Sequence, residues 1–124
     1  MAYEGTLRTI PGLVASGDLS AAQFLFMTVS ATGAALNTTD AGIVDGVLQN
    51  KPDALGKEAT VAFSGVSKVV AGAAITAGAL VKSDTAGKAI TATTGDEVAG
   101  RAIEAAAADG NIISVLLDTQ GESP

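Results

Sequence analysis

Hydrophobic and polar residues alternate along this chain in short segments that end at Gly, Pro, Asn or Asp. The first segment, EGTLRTI at residues 4–10, stops at Pro11 and Gly12, which is typical of a strand followed by a turn. Nine further segments have the same character: residues 24–30, 34–38, 43–49, 59–64, 66–71, 80–83, 88–93, 97–103 and 112–118. This spacing predicts an all-β fold, a small β-barrel or β-sandwich of short antiparallel strands.

Helix signals are weak, and we predict little helix. Residues 18–23, DLSAAQ, begin with a capping residue but suffice for one turn only. Residues 104–108, EAAAA, favour a helix but are too few to be stable alone. The uncharged stretch at residues 19–39 is strongly apolar only over residues 24–29, so we interpret it as two strands and a turn rather than a membrane span.

An internal repeat organises the pattern. Turn glycines and apolar residues recur in the same order 54 residues later: Phe26, Gly33, Val44, Gly46, Gly56 and Val61 match Leu80, Gly87, Val98, Gly100, Gly110 and Val115. Chance matches are one explanation, since the chain is rich in Ala, Gly, Thr and Val. We favour a duplication, because the matches are turn glycines and core-type residues. Each unit would be a meander too small to bury its apolar side alone.

The repeat predicts the domain organisation. We expect one domain over residues 1–124, with a flexible N-terminal arm at residues 1–12 and a tail at residues 119–124. Two pseudo-repeats, residues 5–64 and 65–118, would form the body of this domain.

Composition excludes several classes of function. The 124 residues contain no His, Cys or Trp, and the hydrophobic fraction of 48% includes only 3% aromatics. Zinc, haem, iron–sulfur and thiol sites, imidazole-dependent triads and disulfides are therefore excluded. The net charge of −6 argues against a nucleic-acid partner, and the N-terminus lacks the pattern of a signal peptide.

One segment resembles a catalytic motif. The sequence VLLDTQG at residues 115–121 is similar to the hydrophobic-hydrophobic-Asp-Thr-Gly signature of aspartic proteases, with Asp118 as the candidate carboxylate. Gln120 interrupts that signature, so a strand that ends in a polar turn is the interpretation we favour. No phosphate loop or calcium loop fits the sequence, and we predict no catalytic residue, cofactor or metal.

Several motifs together resemble one family. They are GVLQ at residues 46–49, GVSKV at 65–69, AGALV at 77–81, AGRA at 99–102 and GNIISV at 110–115. Their order over roughly residues 4–118, after DLSAAQF at residues 18–24, resembles the capsid cement or head decoration proteins of tailed bacteriophages.

The resemblance implies a structural virion protein without enzymatic activity, made in the host cytoplasm. Such proteins bind the outer surface of an expanded capsid and clamp neighbouring major capsid proteins, often as homotrimers and sometimes as dimers. It implies no nucleic-acid or membrane partner. In many members an N-terminal arm adds a strand to a capsid segment, and by analogy Tyr3, Thr6 and Leu7 would belong to that arm.

Two alternatives remain. A small retropepsin-like aspartic protease would depend on Asp118. Another β-rich phage structural or adhesive module is the second, although carbohydrate sites usually use exposed aromatics and Tyr3 is the only Tyr. Because so few aromatics limit the buried area, we expect oligomerisation or capsid docking to complete the stability of the chain.

Overall fold

The computed structural model describes residues 5–40, 42–93 and 95–118. They form nine strands: β1 Gly5–Thr9, β2 Phe26–Ser30, β3 Gly33–Leu36, β4 Gly46–Leu48, β5 Val61–Val70, β6 Leu80–Ser83, β7 Ala89–Thr91, β8 Gly100–Ala102 and β9 Ile112–Asp118. No helix occurs among these residues. The all-β class predicted from the alternating pattern is therefore confirmed.

A single antiparallel sheet contains all nine strands and curls into a half-barrel. Its order is β3-β2-β4-β5-β9-β8-β6-β7, and β1 also pairs with β5. The long strand β5 is the centre of this sheet, because β1, β4 and β9 all pair with it.

Strand β5 corrects one expectation from the sequence. We predicted two strands separated at Gly65, but Gly65 lies inside one continuous strand, opposite Leu117 of β9. Its φ of +102° is a left-handed conformation that glycine adopts without a steric penalty. Ala62 and Val69 lie in the same core cluster although they are an odd number of residues apart. Side chains alternate along a strand, so β5 exchanges its faces around Gly65.

Three strands in each half of the sheet pair in the same register. We call β2, β3, β4 and residues 61–64 of β5 the first half-sheet, and β6, β7, β8 and β9 the second half-sheet. The outer strand pair differs by one residue, since Met27 faces Leu36 but Val81 faces Thr91. The other facing pairs of the second half are those of the first moved by 54 positions: Phe26–Val47 and Val47–Ala62 become Leu80–Arg101 and Arg101–Leu116. This is the spacing that relates the matched positions in the sequence.

The connecting segments follow the same plan. The Ala15 N–H donates to the Lys57 carbonyl and the Gly56 N–H donates to the Ala15 carbonyl. In the second half, Ala71 takes the place of Ala15, with Asn111 and Gly110 as its partners. Each of these alanines also forms a parallel bridge, Ala15 to Ala34 and Ala71 to Ala89.

Two core clusters divide the interior. The larger lies between the half-sheets, since it contains both Phe26 and Val47 from the first and Val81, Ala102 and Val115 from the second. The smaller packs the other side of the first half-sheet against residues 15–25: Ala15, Leu19, Ala22, Leu25, Met27, Ala34, Leu48, Ala59 and Val61. The outward side of the second half-sheet, at Leu80 and Leu116, belongs to neither cluster.

Candidate functional site

Three neighbouring strands of the second half-sheet expose a row of side chains. Leu80 on β6 faces Arg101 on β8, and Arg101 faces Leu116 on β9. Leu80 is 36% exposed, Leu116 is 46% exposed, and Arg101 is exposed between them. Since directly opposed side chains in a sheet lie on the same face, the guanidinium stands between two leucines.

Two shallow grooves lie beside this row. One, of about 200 Å³, is lined by Gly78, Arg101, Ala102, Ile103 and Leu116. The other, of about 340 Å³, is lined by Leu80, Val98, Gly100, Arg101, Leu116 and Leu117. We call the surface formed by Leu80, Val98, Arg101, Ile103 and Leu116 the Arg101 face. It is apolar except for its central cation.

Gly100 is required for this surface to form. A Cβ at Gly100 would lie 2.5 Å from the Leu116 carbonyl oxygen and 2.8 Å from the Val115 side chain. Any larger residue would therefore separate β8 from β9. Gly46 meets the equivalent obstacles, the Ala62 carbonyl oxygen and the Val61 side chain, in the first half-sheet.

Arg101 has no ion pair within the described ranges, which distinguishes it from most of the lysines. Three lysines pair with aspartates: Lys57 with Asp53, Lys82 with Asp40 and Asp96, and Lys88 with Asp109. Lys68 lies 5.8 Å from the centre of the Phe24 ring. Arg8 and Lys51 are also exposed and without an ion pair in these ranges, but Arg101 is the basic residue that lines the two apolar grooves.

Lys82, on β6 of the same half-sheet, is a cation that forms ion pairs within the chain. Its ammonium lies 3.1 Å from Asp96 and 3.3 Å from Asp40, and its side chain is only 13% exposed. The hydrogen bond to Asp96 raises the pKa of Lys82. Hydrogen bonds from the Thr93 backbone and hydroxyl, and then from Lys82, lower the pKa of Asp96. By contacting both Asp40 and Asp96, Lys82 links β6 to the loops after β3 and β7.

The row in the first half-sheet that matches the Arg101 row is completely buried. Phe26, Val47 and Ala62 are each 0% exposed and all belong to the larger core cluster. Their partners 54 residues later are Leu80, Arg101 and Leu116. The same arrangement of strands therefore has an internal partner in one half and none among the described residues in the other.

The N-terminal residues predicted as a binding arm lie elsewhere. Tyr3 is outside the described residues, and Thr6 is part of β1. Leu7 is half-buried and packs against the larger core cluster. Strand β1 pairs with β5 along one edge, and no described strand pairs with its other edge. The role of this arm in binding stays a prediction.

The protease-like motif lies only partly within the described residues. Asp118 ends β9 opposite Ser64, and the following Thr-Gln-Gly of the protease-like motif is outside the described residues. In the part of the chain that the structure describes, no three acidic, His or Cys residues come together to hold a metal ion. That part also contains no helix long and apolar enough to cross a bilayer.

The family model described as phage cement protein matches residues 6–117. The chain belongs to this family. It is therefore a structural protein of the phage head, as the order of its motifs implied. A search of curated proteins gave no match.

A solved structure supports the fold of this family member. The crystal structure of the head fiber gp8.5 N base of bacteriophage phi29 aligns with a TM-score of 0.61. The alignment covers 96% of this chain and 100% of that chain, at 16% sequence identity. At this identity the likeness concerns the fold alone.

Sequence reasoning missed the Arg101 face as a candidate site. In the sequence, the motif AGRA at residues 99–102 contributes to the family resemblance and carries no site signal of its own. A comparison of the repeats would have found it, because Arg101 stands where the first unit has Val47. A charged residue at a position that is apolar in its repeat signals that the two positions face different surroundings.

Proposed function

We propose that this cement-family protein binds the outer surface of an expanded phage capsid and clamps neighbouring major capsid proteins. The observation that carries the proposal is the family match over residues 6–117, nearly the whole sheet. The acidic balance of the chain fits a position away from the packaged DNA. Repetition over a shell gives many weak contacts a large combined effect.

We further propose that the protein acts without catalysis or a cofactor, as an assembly of identical chains. A homotrimer would suit a local threefold position on the shell, and a dimer would suit a twofold one. The mass in solution, measured by light scattering, distinguishes these states. A monomer at every concentration would mean that chains assemble only on the capsid.

The N-terminal segment is our proposed strand-addition element. Strand β1 has an unpaired outer edge among the described strands, and an extended capsid segment can pair with such an edge through backbone hydrogen bonds. Tyr3, Thr6 and Leu7 would lie in or beside this element. Leu7 also packs on the core, so its substitution would test folding as well as binding.

Purified protein added to expanded capsids that lack it tests the proposed function. We expect saturable binding and a higher melting temperature of the shell. A variant lacking residues 1–4 retains β1 and should bind more weakly if the arm contributes. Capsids that remain undecorated and unshifted at saturating wild-type protein would contradict the proposed function.

We also propose that residues 5–64 and 65–118 arose by duplication of one meander. The repeated registers and the matched glycine obstacles support this proposal.

A further inference from the structure

Within the described ranges, no segment of the chain covers the Arg101 face, although the row that matches it in the first half-sheet is packed. In the first half-sheet the matching row is fully buried against the second half-sheet. In the second half-sheet Leu80, Leu116 and Ile103 remain exposed around Arg101. Clustered exposed apolar side chains on a small protein mark an interaction surface more often than scattered ones do.

A second copy of this chain is a poor occupant of the surface. The side of the second half-sheet that would complement it, at Val81 and Val115, is already buried in the larger core cluster. The matching side of the first half-sheet is covered by the segment around Ala15 and Leu19. A symmetric contact between two Arg101 faces would bring the two Arg101 side chains together, and like charges destabilise such a contact.

The cation itself specifies the chemistry of the partner. Arg101 has no ion pair in the described part of the chain, and covering it with an apolar surface would bury an unpaired charge, which is strongly unfavourable. A carboxylate would remove that cost, because a guanidinium donates two parallel hydrogen bonds to Asp or Glu. The leucines on either side then require apolar residues beside that carboxylate.

We propose that the Arg101 face receives a strand or loop of the major capsid protein in which an Asp or Glu stands between apolar side chains. The carboxylate pairs with Arg101, and the apolar neighbours occupy the two grooves of about 200 and 340 Å³. This inference rests on the proposed function, since it names the partner and the surface for the same capsid binding.

Charge variants in the full-length protein test the pair on expanded, undecorated capsids. Arg101→Glu should lower the affinity on the order of 100-fold, because two carboxylates would then face each other. Arg101→Lys should lower it about tenfold, since an ammonium keeps the charge but loses the two-pronged geometry. Lys51→Glu is the matched control: Lys51 is exposed, and the substitution changes the net charge equally.

Apolar variants test the flanking grooves. Leu116→Gln should weaken capsid binding about tenfold, because Leu116 lines both grooves. Leu55→Gln, at a side chain that is 72% exposed and outside the surface, should bind as the wild type does. Urea unfolding of each variant verifies that the fold is retained.

The outcomes separate the two proposals. Wild-type protein that fails to bind capsids would contradict the proposed function. Wild-type binding that Arg101→Glu and Leu116→Gln leave unchanged would overturn the inference while the proposed function stands. Loss of self-association in these variants, with capsid binding intact, would assign the surface to a second copy and would also overturn it. Selective loss of capsid binding, with both controls unaffected, supports it.

Discussion

The two half-sheets place equivalent residues in opposite surroundings. Phe26, Val47 and Ala62 form a row that is fully buried, whereas Leu80, Arg101 and Leu116 form the same row in the same register and are exposed. Backbone pairing within the two rows is the same, and so are the close strand contacts at Gly46 and Gly100. The difference lies in what covers each row, so a repeated scaffold can stabilise itself with one copy of a surface and leave the other for a partner.

Exchange of the central residues of the two rows, Val47 and Arg101, should give the largest difference in stability between the half-sheets. Val47→Arg would bury a cation without a partner in the larger cluster and should cost at least about 4 kcal/mol in the free energy of unfolding, a large part of the roughly 5–15 kcal/mol that is typical of a domain. Arg101→Val should change that free energy by about 0.5 kcal/mol or less, because the position is exposed. Urea denaturation followed by circular dichroism measures both. Equal effects would show that the rows have similar surroundings.

Truncation of the first residue in each row should give the next largest difference. Phe26→Ala leaves a cavity in a fully buried position and should lower the free energy of unfolding by about 3–5 kcal/mol. Leu80→Ala removes a side chain that is already 36% exposed and should cost about 1 kcal/mol. Thermal and urea unfolding of the pair test this expectation. A larger loss at Leu80 than at Phe26 would contradict it.

Substitution of the matched glycines should destabilise the two half-sheets equally, whereas substitution within the two rows should not. Gly46→Ala and Gly100→Ala would each push a Cβ against a facing carbonyl oxygen and a valine side chain. Each should cost about 1–3 kcal/mol, and the two values should be similar. A negligible cost at either site would mean that its strands separate more easily there than the contacts indicate. Gly12→Ala is not a suitable control, since its positive φ adds strain of another kind.

The pH dependence of stability should reveal the ion pair of Lys82 and Asp96 in the second half-sheet. We expect this effect to be the smallest. Hydrogen bonding lowers the pKa of Asp96 in the folded chain, so its contribution to stability is present above the ordinary Asp pKa of about 3.9 and is lost as the pH falls through the lowered value. Asp96→Asn should lower stability at pH 7 and flatten its decline below about pH 4.

A matched variant separates this effect from general acid unfolding. Asp53→Asn breaks a pair with Lys57 in which both side chains are well exposed, although the pKa of Asp53 is also lowered by that lysine. We expect it to change the acid profile less, because exposed pairs are screened by solvent. Unfolding followed across pH 2–7 in both variants makes the measurement. Identical profiles would argue against a special role for Lys82 and Asp96.

Strands could be predicted from the sequence where a few neighbouring residues determine the backbone conformation. Residues 80–83 and 112–118 were predicted with the bounds observed, because alternating apolar residues there end at polar turns. The matched glycines were also visible, and Gly33, Gly56, Gly87 and Gly110 all adopt positive φ. These features depend on a few neighbouring residues, which a sequence displays directly.

Other features depend on contacts between distant residues. The local sequence around Gly65 predicts a turn, yet pairing with both β1 and β9 holds β5 continuous across it. Phe24 adopts a φ of 66°, rare for such a side chain, where its backbone N–H donates to the Leu48 carbonyl and its carbonyl accepts from Val70. Whether a row is buried or exposed depends on how the sheet curls, so Leu80 and Phe26 look alike in the sequence.

The arrangement around β5 has a mechanical consequence. Strand β9 pairs with it over seven consecutive residues, Ser64–Val70, whereas β1 pairs at three positions with shifts in register. A pulling force applied through the N-terminal segment would load the β1 ladder first. That strand would detach at a lower force than is needed to separate β5 from β9, and the rest of the sheet would keep its hydrogen bonds. A load carried by the N-terminal segment would therefore be released at β1 before it reached the core of the domain.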